Sequence, residues 1–146
     1  MNDLWRSLFR IGVGLFWLYF ASQKWGGVGW MRGLIQAAPR ANPLPGLHEF
    51  LAVVVAPNWF IFAVAQGIGE TVVGVLLVLG LATRRAAILG FLLALGLALT
   101  VAFEASDLGF RWLYYLAVLA NGELAFVDAG PWALERYRFV PGWLRS

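Results

Sequence analysis

The chain has 146 residues, 61% hydrophobic and only 13% charged against roughly 25% in a soluble domain, which excludes an ordinary water-soluble fold. It has no cysteine, which excludes disulfides, cysteine-held iron–sulfur clusters and a dithiol relay within it. The net charge of +3 comes from arginines at the ends of apolar runs, a pattern typical of membrane topology and not of nucleic-acid binding. We therefore expect a single all-α integral membrane domain over residues 1–146.

The first predicted element is a membrane span at about 5–24. Its apolar part, 11–21, follows Arg6 and Arg10 and ends before Lys24. A helix of ~20 residues is long enough to cross a ~30 Å hydrocarbon layer. A cleaved signal peptide is the alternative, because a charged start and a short apolar stretch also precede cleavage sites.

A long connection rich in glycine and proline follows at about 25–58. Its two less broken pieces, 30–38 and 47–55, combine aromatic and aliphatic residues with charges. We expect these pieces to form short helices that lie in the membrane interface.

Three further apolar runs predict spans at about 59–82, 86–103 and 112–128. Turns at 83–85 and 104–109 separate them, and a tail from 132 to 143 mixes aromatic residues with arginine. The predicted fold is a four-helix membrane bundle with a long Gly/Pro-rich outer loop and an interfacial tail.

Lysine and arginine are distributed unequally about these spans. Four spans place both chain ends on one side of the bilayer, with seven basic residues there and four on the other side. The seven are Arg6, Arg10, Arg84, Arg85, Arg136, Arg138 and Arg145, and the four are Lys24, Arg32, Arg40 and Arg111. Because basic residues favour the cytoplasmic side, we expect cytoplasmic termini and an outward-facing loop.

Glu70 is the candidate catalytic residue, since it lies near the middle of the second span, where an acid costs about 2.5–3.5 kcal/mol. Gln66 and Gly74 share its helix face. Glu70 either exchanges a proton with a bound quinone or another substrate, or is a structural carboxylate hydrogen-bonded to neighbouring spans. Because Glu70→Leu removes the desolvation cost, we expect that variant to fold at least as well as the parent.

Arg10 and Glu123 lie at similar predicted depths in the first and fourth spans. We expect them to form a structural ion pair, with Asn121 joining the same network. Glu123→Leu is then destabilising, because Arg10 loses its partner.

Four residues on the outer side are candidates for binding an anionic substrate: Lys24, Arg32, Arg40 and His48. The alternative is that the cations snorkel beside an aromatic belt without any ligand. His48 is the only histidine, and no metal site is predicted. Glycines at 12, 14, 67, 69, 74, 90 and 96 fall inside apolar helices, where close helix packing explains them.

Three groups of motifs follow one another along the chain. They are Arg10-Ile11-Gly12-Val13-Gly14 with Gln23-Lys24, Gly69-Glu70-Thr71-Val72-Val73-Gly74 with Leu79-Gly80-Leu81-Ala82-Thr83-Arg84, and Phe126-Val127-Asp128-Ala129-Gly130-Pro131. In order and spacing these motifs resemble the DoxX/DoxD-like family of small bacterial membrane proteins. The long first loop is more similar to that of the DoxD branch than to that of the shortest DoxX proteins. DoxD is the small subunit of a thiosulfate:quinone oxidoreductase.

This resemblance implies a multi-pass protein of the bacterial cytoplasmic membrane that oxidises thiosulfate to tetrathionate and passes electrons to a quinone. It also implies a second protein subunit, or a homo-oligomer, within the lipid bilayer. On this interpretation Lys24, Arg32 and Arg40 attract the dianion, Gln66 contacts the substrate and Glu70 protonates the quinone.

Two other functions stay open on the sequence. The bundle is a non-enzymatic scaffold that anchors a partner redox enzyme, or a small transporter or lipid-binding protein with Glu70 as its coupling acid. Internal repeats and broken helices, which many transporters have, are not clear in this sequence.

Overall fold

A computed structural model of the chain describes residues 3–104 and 107–145. The described residues form six α-helices and no strand, which confirms the predicted all-α class. The helices are α1 (Asp3–Trp25), α2 (Met31–Ala41), α3 (Leu47–Phe50), α4 (Trp59–Leu79), α5 (Thr83–Leu99) and α6 (Leu108–Phe126). Ala105 and Ser106, in the predicted turn after the third span, lie outside the described residues.

Local signals in the sequence set the ends of the long helices. Helix α4 ends at Gly80, which takes a left-handed conformation with φ +66° that glycine adopts without steric cost. The backbone N–H of Thr83 at the start of α5 donates to Glu135 Oε2 at 3.0 Å. At the start of α6 the Asp107 side chain accepts a hydrogen bond from the Gly109 N–H at 2.9 Å.

The connection between α1 and α4 contains helical segments in spite of its glycines and prolines. Helix α2 ends at Asn42, whose side-chain amide donates to the Leu99 carbonyl at the end of α5 over 2.7 Å. Helix α3 continues into one π-helical turn, Leu51–Val55. The position of these segments in a membrane interface stays a prediction.

Helix α1 packs on α4, α4 on α5 and α5 on α6, while α1 and α6 touch only sparsely. Glycines allow the closest crossing: a Cβ on Gly14 would lie 2.9 Å from the Gly74 carbonyl oxygen, and one on Gly74 would lie 2.7 Å from Leu18 Cγ. The prediction that close helix packing explains the helical glycines is wrong for Gly12 and Gly96, since a Cβ at either position meets nothing within 4 Å.

Within the described residues, two helical stretches are long and apolar enough to cross a membrane. They are Trp59–Leu79, with a mean hydropathy of 2.0, and Thr83–Phe103, with 2.5. Only 28% and 33% of their most apolar windows are buried inside the protein, so much of each apolar surface faces outward. Such an exposed surface suits lipid better than water.

Arg10 fastens α1 to the end of α4 and to the segment after α6. Its side chain is fully buried and donates to the carbonyl oxygens of Leu77, of Val78 at 3.0 Å, of Ala129 at 2.9 Å and of Trp132 at 3.2 Å. A cation at this position also interacts favourably with the carbonyl end of a helix.

The predicted Arg10–Glu123 ion pair is therefore wrong within the described part of the chain. Glu123 is exposed and forms no ion pair with Arg10. The two residues share a depth along their helices but not a facing direction. Glu123→Leu accordingly leaves every hydrogen bond of Arg10 in place.

The tail after α6 folds back on the turn between α4 and α5. The Glu135 N–H donates to the Gly80 carbonyl at 2.9 Å, and the Ala82 N–H donates to that of Leu144 at 2.7 Å. Ala82 adopts a left-handed conformation with φ +46°, uncommon for a residue with a side chain. The tail thus covers the same end of the fold that Arg10 fastens.

Candidate functional site

A cavity of about 510 Å³ lies between α1, α4, α5 and α6, with α2 over one side. Most of its walls are aromatic and aliphatic side chains. The polar or ionisable side chains among its lining residues are Gln23, Lys24, Gln66, Glu70, Glu104, Asp107 and Tyr114, beside the indoles of Trp17 and Trp30. This combination of an apolar enclosure with a few convergent polar groups is typical of a small-molecule site.

Glu70 and Lys24 form a buried ion pair at the cavity wall. The ammonium Nζ of Lys24 lies 2.7 Å from Glu70 Oε2, and the two side chains are 6% and 2% exposed. Lys24 also donates to the Phe20 carbonyl at 3.1 Å, and the Gln66 amide donates to Glu70 Oε1 at 2.8 Å. Both carboxylate oxygens therefore have a donor, as burial of an ionised acid requires.

Small and aromatic residues hold the Lys24 side chain in this position. A Cβ on Gly67 would lie 3.3 Å from Lys24 Cβ, so glycine at this position of α4 leaves room for the lysine stem. The ring of Trp30 lies with its centre 5.9 Å from Lys24 Nζ, within the range of a cation–π contact. The Trp30 indole N–H donates to the Gln23 carbonyl at 3.2 Å, which fixes the ring over the cavity.

The structure changes two sequence-based expectations for Lys24 and Glu70. Lys24 does line the site, but its charge is already balanced by Glu70. The expectation that Glu70→Leu folds as well as the parent is wrong for this geometry, because the substitution leaves the Lys24 ammonium buried without a counter-ion.

Acidic residues line the mouth of the cavity. Glu104 and the exposed Asp107 lie where α5 gives way to α6, and burial raises the pKa of Glu104 above its ordinary value of 4.5. Glu104 Oε2 is buried with no hydrogen-bond partner among the described residues. The described lining thus carries three carboxyl groups, Glu70, Glu104 and Asp107, and the single cation Lys24, a balance that repels a dianion.

Trp17 lines the cavity and is held in place by Asn121, which lies behind it. The Trp17 indole N–H donates to Asn121 Oδ1 at 3.1 Å, and both residues are almost completely buried. The Asn121 amide donates in turn to the Ala117 carbonyl at 2.7 Å, and Gly90 leaves the space that the asparagine fills. Asn121 therefore supports the cavity wall through Trp17, and its predicted place in an Arg10–Glu123 network is wrong within the described part of the chain.

The other predicted anion-binding residues lie outside the cavity. Arg32 is exposed with its guanidinium 5.8 Å from the centre of the Trp59 ring, and Arg40 is exposed on α2. His48 is exposed, with its Nδ1 at 2.6 Å from the Pro39 carbonyl oxygen. The structure brings together Lys24, Gln66 and Glu70 and separates them from Arg32, Arg40 and His48.

Sequence reasoning missed Trp17, Glu104 and Tyr114 as cavity residues. Trp17 and Tyr114 resemble core aromatics in an apolar run, and Glu104 resembles a turn residue. The signal that was available is that Tyr114, Ala117 and Asn121 recur at helical spacing on one face. Among the described residues, no group of three or more His, Asp or Glu is arranged to hold a metal ion.

Comparison with known proteins identifies a family for this chain. A family model described as DoxX matches residues 6–103, about two thirds of the chain. The matched region includes Lys24, Gln66 and Glu70 but ends before α6. No curated protein and no solved structure matches the chain.

Proposed function

The chain belongs to the DoxX family of membrane proteins, and from this premise we propose that it is the quinone-binding membrane subunit of an oxidoreductase. In this proposal α1 and α6 cross the membrane together with α4 and α5. The protein resides in the bacterial cytoplasmic membrane, and the Arg84-Arg85 turn faces the cytoplasm.

The observation that carries the proposal is the Lys24–Glu70–Gln66 group inside an apolar cavity. A quinone ring is uncharged and flat, and its two carbonyl oxygens need hydrogen-bond donors. The cavity offers aromatic walls, a volume of about 510 Å³ and donors on Lys24, Gln66 and Tyr114. Ligand sites typically have volumes of about 300–1,000 Å³, so the space suits a single quinone ring.

Reduction of the quinone to quinol takes up two electrons and two protons, and the buried pair supplies a route for the protons. The 2.7 Å contact between Lys24 Nζ and Glu70 Oε2 lets one proton move from the ammonium to the carboxylate, which leaves both groups neutral. Glu70 then delivers this proton to the quinone, and a proton taken from water through Glu104 restores the Lys24 ammonium. A second passage along the same route supplies the second proton of the quinol.

The electron donor in this proposal is thiosulfate. Two thiosulfate ions join through a new sulfur–sulfur bond to form tetrathionate and release the two electrons that the quinone accepts. Because the chain has no cysteine and the charged groups in the described cavity lining are mainly acidic, we place this oxidation on a second subunit. The exposed cations Arg32 and Arg40 are available to attract the dianion to that side of the complex.

The test measures quinone binding and thiosulfate-dependent quinone reduction, by ultraviolet absorbance, for the protein purified together with any partner. We expect both in the parent, and a large loss of reduction in Glu70→Gln. Glu123→Gln is the matched control, since it removes an exposed acid of α6 and is expected to retain activity.

Two results decide against the proposal. A folded parent that binds no quinone excludes the cavity as a quinone site. Partner capture that survives Glu70→Gln, without quinone reduction by the complex, favours the non-enzymatic scaffold that the sequence also allows.

A further inference from the structure

A second, apolar space continues from the cavity along the outside of the fold. It is a groove of about 390 Å³ between α1 and α6, the two neighbouring helices that touch only sparsely. Phe16, Leu113 and Ala117 line both the groove and the cavity, so the two spaces adjoin. On α1 the groove extends from Phe16 to Trp5, about 16 Å at 1.5 Å per residue.

We propose that this groove binds the isoprenoid tail of the quinone whose ring occupies the cavity. The inference rests on the proposed function, and it identifies the substrate as a lipid-soluble quinone with a tail. Its walls are aliphatic and aromatic, including Trp5 and Phe9, and the one polar side chain in its described lining, Asn121, already bonds to Trp17. A branched hydrocarbon chain matches such a surface.

The charges at the cavity distinguish a quinone tail from the acyl chain of a phospholipid. A phospholipid with its chain in the groove and its head in the cavity would place an anionic phosphate where the described lining has three carboxyl groups and only Lys24 as a cation. Lys24 is already paired with Glu70. An uncharged quinone ring meets no such repulsion.

Gly12 provides a way to fill the groove without disturbing the helix packing. It lies on the groove wall, and a Cβ built there meets nothing within 4 Å. In Gly12→Phe the ring extends into the space assigned to the tail. Gly96→Phe is the matched control, because Gly96 is also an exposed helical glycine with nothing within 4 Å but does not line the groove.

The experiment measures the Kd of two quinones in detergent, one without a tail and one with four isoprene units. The readout is quenching of tryptophan fluorescence, since Trp17 and Trp30 line the cavity. We expect Gly12→Phe to weaken binding of the tailed quinone about tenfold, equivalent to displacing roughly two methylene groups, and to change binding of the tailless quinone less than about twofold. Gly96→Phe is expected to match the parent with both.

Ala120→Phe fills the groove from the α6 side and replaces Gly12→Phe if that variant fails to fold. Equal weakening of tailed and tailless quinones in the filled variants overturns the assignment of the groove. A parent that binds both quinones equally well also overturns the assignment of the groove to the tail, but it leaves the quinone site in the cavity intact. A folded parent that binds neither overturns the proposed function, and the tail site with it.

Discussion

Lys24 and Glu70 are each buried because the other is present. At the scale of single residues, a charge transferred alone from water into the protein costs several kcal/mol, and a partner at 2.7 Å offsets much of that cost. An apolar pair at the same positions would avoid the cost completely. The retention of two charges beside a cavity is therefore better explained by chemistry in the cavity than by stability.

Glu70→Leu is expected to lower the free energy of unfolding by about 3–5 kcal/mol, because Lys24 remains buried and unpaired. The double variant Lys24→Met/Glu70→Leu is expected to recover most of this loss, since it removes both charges. Unfolding in detergent, followed by circular dichroism, measures both effects. A single variant as stable as the parent would show that Lys24 does not depend on Glu70.

Arg10→Met is expected to destabilise the fold by at least about 3 kcal/mol. It removes charge-assisted hydrogen bonds to four carbonyl groups, each worth roughly 1.5–3 kcal/mol, and leaves buried acceptors behind. Glu123→Leu serves as the control and is expected to change stability by less than about 0.5 kcal/mol, because Glu123 is exposed. If the two variants unfold at the same temperature, Arg10 does not fasten the helices as described.

The partly buried carboxyl group of Glu104 makes stability depend on pH. Burial raises its pKa in the folded state above the ordinary value of 4.5, so the folded protein binds the proton more tightly than the unfolded chain. This contribution is fully present below pH 4.5 and is lost as the pH rises through the higher folded pKa. Unfolding curves over this range are expected to show a loss of stability with rising pH that is absent in Glu104→Gln. Parallel pH profiles for the two proteins would contradict this assignment.

At the scale of helices, some glycines of this chain lie at tight contacts between helices and others face open space. Gly74→Ala is expected to destabilise the protein by about 1–3 kcal/mol, because its Cβ would lie 2.7 Å from Leu18 Cγ and 3.0 Å from the Gly14 carbonyl oxygen. Gly96→Ala is expected to stabilise it by up to about 1 kcal/mol, since alanine has the higher helix propensity and meets nothing. Thermal unfolding in detergent compares the two, and a stabilising Gly74→Ala would rule out a tight α1–α4 crossing.

Apolar runs and glycines in the sequence predicted where the long helices lie. The predicted 59–82 and 112–128 correspond to Trp59–Leu79 and Leu108–Phe126, because glycine, proline and charged residues interrupt helices locally. Rotation of each helix about its axis was not predictable from these signals. That is why Glu70 was identified as a buried acid but Lys24, 46 positions away in the chain, was not identified as its partner.

The same reason explains the Arg10–Glu123 error. Depth along a helix follows from position in the sequence, but the direction in which a side chain points depends on how the helices pack together. Arg10 instead meets backbone carbonyl groups, which carry no sequence signature. Residues at the ends of helices are especially hard to pair from sequence, because main-chain groups compete with side chains there.

At the scale of the whole molecule, the absence of cysteine makes the proposed topology directly testable. A single cysteine in the exposed tail, Arg138→Cys, is expected to be protected from a membrane-impermeant maleimide in intact cells. A single cysteine in the exposed loop, Leu44→Cys, is expected to react. Labelling after lysis provides the control for both positions. The reverse pattern in intact cells would show that the protein has the opposite orientation in the membrane.

The bond between Trp17 and Asn121 has a consequence for bioenergetics. The exposed lining residues Gln23, Trp30 and Asp107 lie at the Glu104 end of the cavity, while the Trp17–Asn121 bond, Arg10 and the folded-back tail lie toward the opposite end of the fold. Under the proposed function, protons and electrons then reach the quinone from the same face. No net charge crosses the membrane during turnover, so the reaction feeds the respiratory chain without itself building a membrane potential. Its rate is expected to be indifferent to an uncoupler.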